Sequence, residues 1–181
     1  MGNSYQIHDQ YGLYFLTFQI VGWVDVFSRK DYRDLVIDSL QFCRKHKQLD
    51  IYAYVIMSNH LHLIAQSKSG QLSNTIRDFK RFTANNILKS IHSNNRESRR
   101  DWMDVVFRYH AKYNKRAKEK QFWTHENHAV ELSNNRMIDS RVNYIHQNPV
   151  RAGIVELPEE YIYSSAKNYC GLPAILNIDL I

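Results

Sequence analysis

Two periodicities of apolar residues, one near two and one near 3.6, divide the chain into seven predicted elements. Aromatic and β-branched residues from Leu13 to Gly22 predict a first strand. The same reasoning predicts strands over 51–57, 60–66 and 128–132, and helices over 31–47, 71–92 and 135–148. The resulting β-α-β-β-α-β-α order is typical of a ferredoxin-like α+β fold, in which helices pack on one face of an antiparallel sheet.

The end of the last helix and the segment 93–121 are defined by features other than apolar periodicity. The last helix is expected to end at Asn148, because the residue before Pro149 is disfavoured in the helical region, and Gly153 permits the turn that follows. Residues 93–121 are polar and basic without clear punctuation, and we interpret them as an insertion. The chain is therefore expected to be a single domain over 1–181, with a core of about 11–171.

Composition narrows the class of protein. The chain has 181 residues, of which 44% are hydrophobic, which is enough to form a core. No apolar run approaches the roughly 18 residues that a membrane span requires, and no signal peptide is apparent. We expect a soluble, cytoplasmic protein that does not contact a membrane.

The positive charge is concentrated in one part of the chain. Residues 77–120 contain 13 Lys/Arg and 5 Asp/Glu, which gives this segment a charge of +8. The net charge of the whole chain is +6, so the remaining residues together carry −2. The segment also holds aromatic residues, namely Phe79, Phe82, Trp102, Phe107, Tyr109 and Tyr113. Cations interleaved with aromatics favour single-stranded nucleic acid as the partner. Helical spacing places Arg77, Lys80 and Arg81 on one outer face, as phosphate contacts or as a solvated surface.

His60-Leu61-His62 begins the strand predicted over 60–66. Alternate residues of a strand point to the same face, so the two imidazoles project together while Leu61 points to the other side. Two neutral imidazoles can hold a divalent metal ion. The pattern alone is weak, because paired histidines on strands are more often packing or surface residues.

Tyr144 and Asn148 are i, i+4 neighbours on the last helix, on a face distinct from its apolar stripe of Ile138, Val142 and Ile145. A phenol with a pKa of about 10 needs assistance as a nucleophile. A metal ion beside it would polarise a phosphoryl oxygen and neutralise charge during attack. Two histidines, a polar third ligand and a phenol are therefore consistent with phosphoryl transfer.

Three motifs carry a family resemblance. The stretch Met57-Ser-Asn-His-Leu-His-Leu63 and the stretch from Tyr144 to Gly153, Tyr-Ile-His-Gln-Asn-Pro-Val-Arg-Ala-Gly, together resemble the single-tyrosine HUH transposase superfamily. They are most similar to its REP-associated tyrosine transposase (RAYT-like) branch, and the segment 161–169 resembles the C-terminal segment of that branch. The similarity extends over residues 11–171.

The resemblance implies a fold and a mechanism. It implies a ferredoxin-like fold in which His60, His62 and Asn148 bind Mg²⁺ or Mn²⁺ and Tyr144 is the nucleophile. Single-stranded DNA beside a hairpin would be nicked through a 5′-phosphotyrosine and rejoined by a 3′-OH from another strand. Imidazole ligands by themselves favour a transition metal, so Mn²⁺ remains plausible. Arg151 either contacts DNA or caps the helix, and a homodimer is left open.

Two alternatives to a transposase-like enzyme remain at this point. One is a domesticated relative that recognises hairpin DNA without cutting it. The other is an RNA-binding ferredoxin-like domain, which needs exposed aromatic residues on its strands. Strand alternation places Tyr52 and Tyr54 on one face, so the second alternative stays open.

Overall fold

The computed structural model describes residues 6–114 and 119–181. Within them, four strands form one antiparallel sheet in the order β2-β3-β1-β4. The strands are β1 (Tyr14–Gln19), β2 (Leu49–Ile56), β3 (His60–Ser67) and β4 (Val130–Glu131). This order, with β3 and β1 at the centre, confirms the ferredoxin-like α+β architecture predicted from the sequence.

Helices cover both faces of the sheet, so the expectation that they pack on one face only was wrong. They are α1 (Lys30–His46), α2 (Leu72–Ser93), α3 (Arg100–Lys112), α4 (Asn135–Arg151) and the short α5 (Ala166–Tyr169). The predicted pair α1 and α2 shares one face, where Phe79 of α2 packs on Phe18 of β1 with ring centroids 5.8 Å apart. The helix α4, which follows the last strand, crosses the other face, opposite α1 and α2. No helix in the described ranges is both long and apolar enough to cross a membrane.

The register of β1 and β3 determines what lies beneath α4. Thr17 pairs with His62, and Gln19 pairs with His60. Because alternate residues share a face, Phe15, Thr17, His60 and His62 all project to the side that α4 covers. We call this side the histidine face. β1 ends at Gln19, and the chain then forms a 3-10 turn over Val21–Trp23 beside the start of β3.

The placement of Tyr52 and Tyr54 on one face was wrong. A β-bulge interrupts the pairing of β2 with β3 between Ile51 and Ala53, and a bulge inserts a residue that breaks the alternation. The hydroxyl of Tyr52 donates to Gln66 Oε1 at 3.2 Å. Tyr54 instead pairs across from Leu63 and is fully buried. These two tyrosines therefore form no exposed aromatic platform, and the RNA-binding alternative loses its support.

The predicted end of the last helix was also wrong, since α4 continues through Pro149 to Arg151. Proline lacks an amide N–H and so removes one hydrogen bond from the final turns of the helix. The helix end is closed by a Schellman motif: Ile154 N–H donates to Pro149 O at 2.9 Å, and Gly153 N–H donates to Val150 O at 2.9 Å. Gly153 has a φ of 68°, which this motif requires. The extra turn brings Arg151 onto the same helix face as Tyr144.

The basic segment 93–121 contains α3, whose Met103 and Phe107 are buried in the same hydrophobic core as the sheet. Residues 115–118 of this segment lie outside the described residues. The helix packs against the turn that follows β1, since a Cβ on Gly22 would lie 2.8 Å from Val106 Cγ1. α3 is thus positioned next to the end of the sheet where His60 begins β3.

Candidate active site

His60 and His62 lie side by side on the histidine face, as the strand period predicted. Their ring centroids are 4.7 Å apart, with an angle of 69° between the ring planes. His62 is buried, with 6% of its surface exposed, whereas His60 is half-buried at the edge of the site. His62 also stacks on Phe15 at 5.2 Å, so its ring is held between an apolar partner and its neighbouring histidine.

Hydrogen bonds at Nδ1 select the orientation of both imidazoles. Asn59 Oδ1 lies 2.7 Å from His60 Nδ1, and because an amide oxygen only accepts, His60 Nδ1 must carry the proton. Thr17 Oγ1 lies 2.8 Å from His62 Nδ1, and a hydroxyl can accept that N–H in the same way. With both protons on Nδ1, the two Nε2 lone pairs remain available to a metal ion.

The environment keeps the pair neutral. Burial, assisted by the charges of His60 and Arg141, lowers the pKa of His62 to about 3. Burial also lowers the pKa of His60 below its ordinary value. A metal ligand must be deprotonated before it binds, so both imidazoles are in the binding form near neutral pH.

Tyr144 of α4 lies over His62 and Phe15. Its ring centroid is 5.2 Å from that of His62 and 6.0 Å from that of Phe15. The side chain is half-buried, and both contacts are edge-on. The sequence prediction that Tyr144 and the histidine pair meet in space is therefore consistent with this geometry.

Asn148 follows Tyr144 by one helical turn, and its Nδ2 donates to the carbonyl oxygen of Tyr144 at 3.2 Å. Within residues 6–114 and 119–181, no cluster of three or more His, Cys, Asp or Glu side chains could hold a metal ion. The protein thus offers two imidazoles and, as a candidate third ligand, the Asn148 amide. Such a donor set leaves coordination positions for oxygens from a substrate.

Two arginines flank the tyrosine on the same helix face. The guanidinium carbon of Arg151 lies 5.6 Å from the centroid of the Tyr144 ring, and that of Arg141 lies 4.9 Å from the Phe15 ring. Both cations therefore border the position that a phosphate would take beside Tyr144. Sequence reasoning selected Arg151 but missed Arg141, although its position three residues before Tyr144 puts it on the same face.

The three cations predicted to share the outer face of α2 do not do so. Arg77 and Arg81 are exposed, and both pair with Asp78.

The Lys80 side chain instead crosses the ring of Phe18, and its Nζ donates to Thr124 O at 2.9 Å and to Asn127 Oδ1 at 2.7 Å. Burial lowers the pKa of Lys80 to about 8. Its ammonium group holds the loop beside β1, and α2 as a whole lies on the sheet face opposite Tyr144.

His146 faces away from the histidine pair. Its Nε2 lies 2.9 Å from Ser165 Oγ, and its ring contacts Tyr169 at 4.9 Å. Ser165 in turn accepts from the Tyr54 N–H at 2.9 Å. His146 therefore links α4 to the C-terminal segment and to β2, which fixes the helix that carries Tyr144. Burial lowers the pKa of His146 to about 4.

The family described as "Transposase IS200 like" matches residues 24–107, a stretch that includes His60 and His62 and ends before Tyr144. The chain is also similar to a solved structure described as a REP-associated tyrosine transposase bound to a REP hairpin. That similarity has a TM-score of 0.66 and 17% identity, and it covers 100% of this chain and 94% of the other. No curated protein matches this chain in sequence.

The comparisons bear on the fold and on part of the sequence. At 17% identity the structural similarity shows a shared fold, which in this chain is built on the four-stranded antiparallel sheet. The family match spans the strand that carries the paired histidines. The resemblance inferred from the sequence motifs is confirmed: residues 24–107 match the IS200-like transposase family, and the chain shares the fold of a solved REP-associated tyrosine transposase.

Proposed function

We propose that this protein nicks and rejoins single-stranded DNA beside a hairpin, with Tyr144 as the nucleophile and a divalent metal ion at His60 and His62. The observation that carries the proposal is the 5.2 Å separation between the rings of Tyr144 and His62 on one sheet face. A nucleophile and a metal ligand must be neighbours to act on one phosphate, since reacting atoms approach to about 3–3.5 Å.

The residues present fit a divalent ion. His60 and His62 would hold it through Nε2, because Asn59 and Thr17 occupy both Nδ1 positions, and Asn148 is the candidate third ligand. Nitrogen ligands suit Mn²⁺ better than Mg²⁺, which prefers oxygen, so both ions are worth testing. When bound, the ion would polarise a phosphate oxygen and neutralise the charge that develops during attack.

The chain's own groups then perform the transfer. Tyr144 Oη forms a bond to phosphorus while the bond from phosphorus to the 3′ oxygen breaks, and the phenolic proton is balanced by protonation of that departing oxygen. The product is a 5′-phosphotyrosine and a free 3′-OH. Attack by a 3′-OH from another strand reverses these bond changes, joins the DNA and releases Tyr144. Arg141 and Arg151 attract the phosphate to the tyrosine.

DNA as the substrate is supported by two further observations. The structure to which this chain is similar is described as bound to a REP hairpin. The sequence also carries a net charge of +6, which favours a polyanion. A hairpin-binding protein without cleavage activity would share both features, so covalent chemistry at Tyr144 separates the two functions.

The test uses an end-labelled oligonucleotide with a hairpin and single-stranded flanks, incubated with Mn²⁺ or Mg²⁺. We expect the unmodified protein to form a covalent adduct on a denaturing gel, and Tyr144→Phe to bind the hairpin without forming one. Tyr11→Phe is a matched control, because Tyr11 is exposed and packs beside Gly70, beyond the other end of β3. Cleavage by Tyr144→Phe at the rate of the unmodified protein would refute the nucleophile assignment. Hairpin binding without any adduct would favour the non-cleaving alternative.

A further inference from the structure

A surface next to the histidine pair takes no part in the cleavage step. We propose that Trp23 and three aromatic residues of the α3 region stack against unpaired bases of the DNA strand that enters or leaves the site. The three residues, which we call the α3 stripe, are Trp102, Tyr109 and Tyr113. The inference rests on the proposed function and deepens it, because it assigns a second contact to the same DNA substrate.

Trp23 combines exposure with backbone strain. Its side chain is 65% exposed, and its backbone φ is 56°, in the left-handed region that bulky residues rarely adopt. The indole makes no hydrogen bond or ring contact with any other residue in the described part of the chain. A glycine would fit this backbone without strain, so the stability of the fold does not explain the tryptophan. Strained residues of this kind cluster at functional sites.

The same residue is connected to the metal-binding strand. Asn59 Nδ2 donates to the carbonyl oxygen of Trp23 at 3.5 Å, and Asn59 Oδ1 accepts from His60 Nδ1 at 2.7 Å. One asparagine therefore joins the turn carrying Trp23 to the first histidine of the site. A nucleotide adjacent to the phosphate at Tyr144 would lie within reach of this turn.

The α3 stripe continues the aromatic surface. Trp102, Tyr109 and Tyr113 are separated by seven and four residues, which places them on one helix face, and their side chains are 51%, 55% and 76% exposed. The rings of Tyr109 and Tyr113 lie 5.1 Å apart. Gly22, next to Trp23, is pressed against α3, since its Cβ would lie 3.2 Å from His110 Nε2. The turn that carries Trp23 thus contacts α3 through Gly22 and the start of β3 through Asn59.

Charge indicates which partner this surface accepts. Residues 93–121 contain nine Lys/Arg and four Asp/Glu, so the stripe lies within a positively charged segment. Exposed rings in a cationic surface are typical of single-stranded DNA sites, where bases stack and the backbone is neutralised. A second copy of the chain would bring the same positive segment, and like charges oppose that contact. The combination favours DNA over self-association.

The experiment measures binding without cleavage. Fluorescence anisotropy is recorded in the Tyr144→Phe background without divalent ion, with a labelled hairpin carrying a single-stranded flank and with the hairpin alone. We expect Trp23→Gly, and separately the pair Tyr109→Ala and Tyr113→Ala, to weaken binding of the flanked DNA about tenfold, with little change for the bare hairpin. The matched pair Tyr109→Phe and Tyr113→Phe keeps the rings and should bind like the parent.

Two further measurements make the proposal specific. Replacing the flanking nucleotides by abasic sites should weaken binding to the parent by a similar factor, and should have little effect on Trp23→Gly. Trp23→Gly should also unfold at a temperature equal to or above that of the parent, because it relieves strain.

Unchanged affinity of these variants for the flanked DNA would overturn the proposal. A dimer that dissociates in the variants, with DNA affinity unaltered, would assign the surface to a second copy instead. Because the assay contains no reactive tyrosine, its result is independent of whether Tyr144 cleaves.

Discussion

Replacing Thr17 by valine should weaken metal binding although Thr17 would not itself touch the metal. Valine has nearly the shape of threonine but lacks the hydroxyl that lies 2.8 Å from His62 Nδ1. Metal binding through Nε2 requires the proton on Nδ1, and in the variant that N–H would be buried without its partner. In the absence of metal the imidazole can instead carry its proton on Nε2, so the binding form becomes the minor one.

The size of the effect follows from the lost hydrogen bond. An unsatisfied buried donor costs about 1–3 kcal/mol, and each 1.4 kcal/mol corresponds to about a factor of ten in affinity. His62 is only 6% exposed, so water can replace the hydroxyl poorly. We therefore expect the Kd for Mn²⁺ to rise about tenfold or more, in line with the roughly 10- to 100-fold losses seen on removing partners of metal-bound histidines.

Isothermal titration calorimetry with Mn²⁺ measures this directly. Thr17→Ser is the matched control, because serine keeps the hydroxyl, and its Kd should stay close to that of the parent. Thermal unfolding without metal should differ little between Thr17→Val and the parent, since the imidazole can change tautomer. A Kd for Thr17→Val equal to that of the parent would refute the role of this hydrogen bond.

Three other predictions concern stability and DNA contact. Because His146 has a pKa of about 4 when folded and an ordinary value of 6.5, the unfolded chain binds more protons between these values, so stability should fall as pH drops through that window. In His146→Asn, the unfolding free energy measured with urea should depend less steeply on pH between 6.5 and 5, by up to about 1.4 kcal/mol per pH unit. The same slope as in the parent would contradict this. Lys80→Met should lower the unfolding free energy by about 2 kcal/mol by leaving loop carbonyls unpaired, against less than about 0.5 kcal/mol for the exposed control Arg81→Met; equal values would show that the lysine is not structural. Arg151→Ala should weaken flanked-hairpin binding more than Arg77→Ala, because only the first lies beside Tyr144, and the reverse order in anisotropy would place the DNA on α2.

Much of the site followed from local periodicity. The strand period of two put His60 and His62 on one face, and the helical spacing put Asn148 one turn after Tyr144. The contact between these two segments depended on the fold that their order implied. The residues that orient the histidines are harder to predict from the sequence. Asn59 is adjacent to His60, but Thr17 contacts His62 only because of the register of β1 with β3. A single sequence does not encode that register in any local pattern.

The errors share a physical cause, which is that tertiary contacts override local rules. Helical spacing assigned Lys80 to an outer face, but its long side chain reaches the loop at Thr124 and satisfies backbone oxygens there. The rule for residues before proline ended α4 early, whereas the Schellman motif at Gly153 closes the helix three residues later. Strand alternation gave the wrong face for Tyr52 relative to Tyr54, because the β-bulge inserts an extra residue and so breaks the alternation of side chains between the two faces.

Mass spectrometry of the covalent adduct tests the central claim most directly. Trypsin should release residues 142–151, bounded by Arg141 and Arg151, and Tyr144 is the one tyrosine in this peptide. After reaction with a flanked hairpin in the presence of Mn²⁺, followed by nuclease and trypsin digestion, we predict that this peptide carries a 5′-linked nucleotide on Tyr144. A nucleotide attached to a different peptide, or cleaved DNA with no attached nucleotide, would contradict the account.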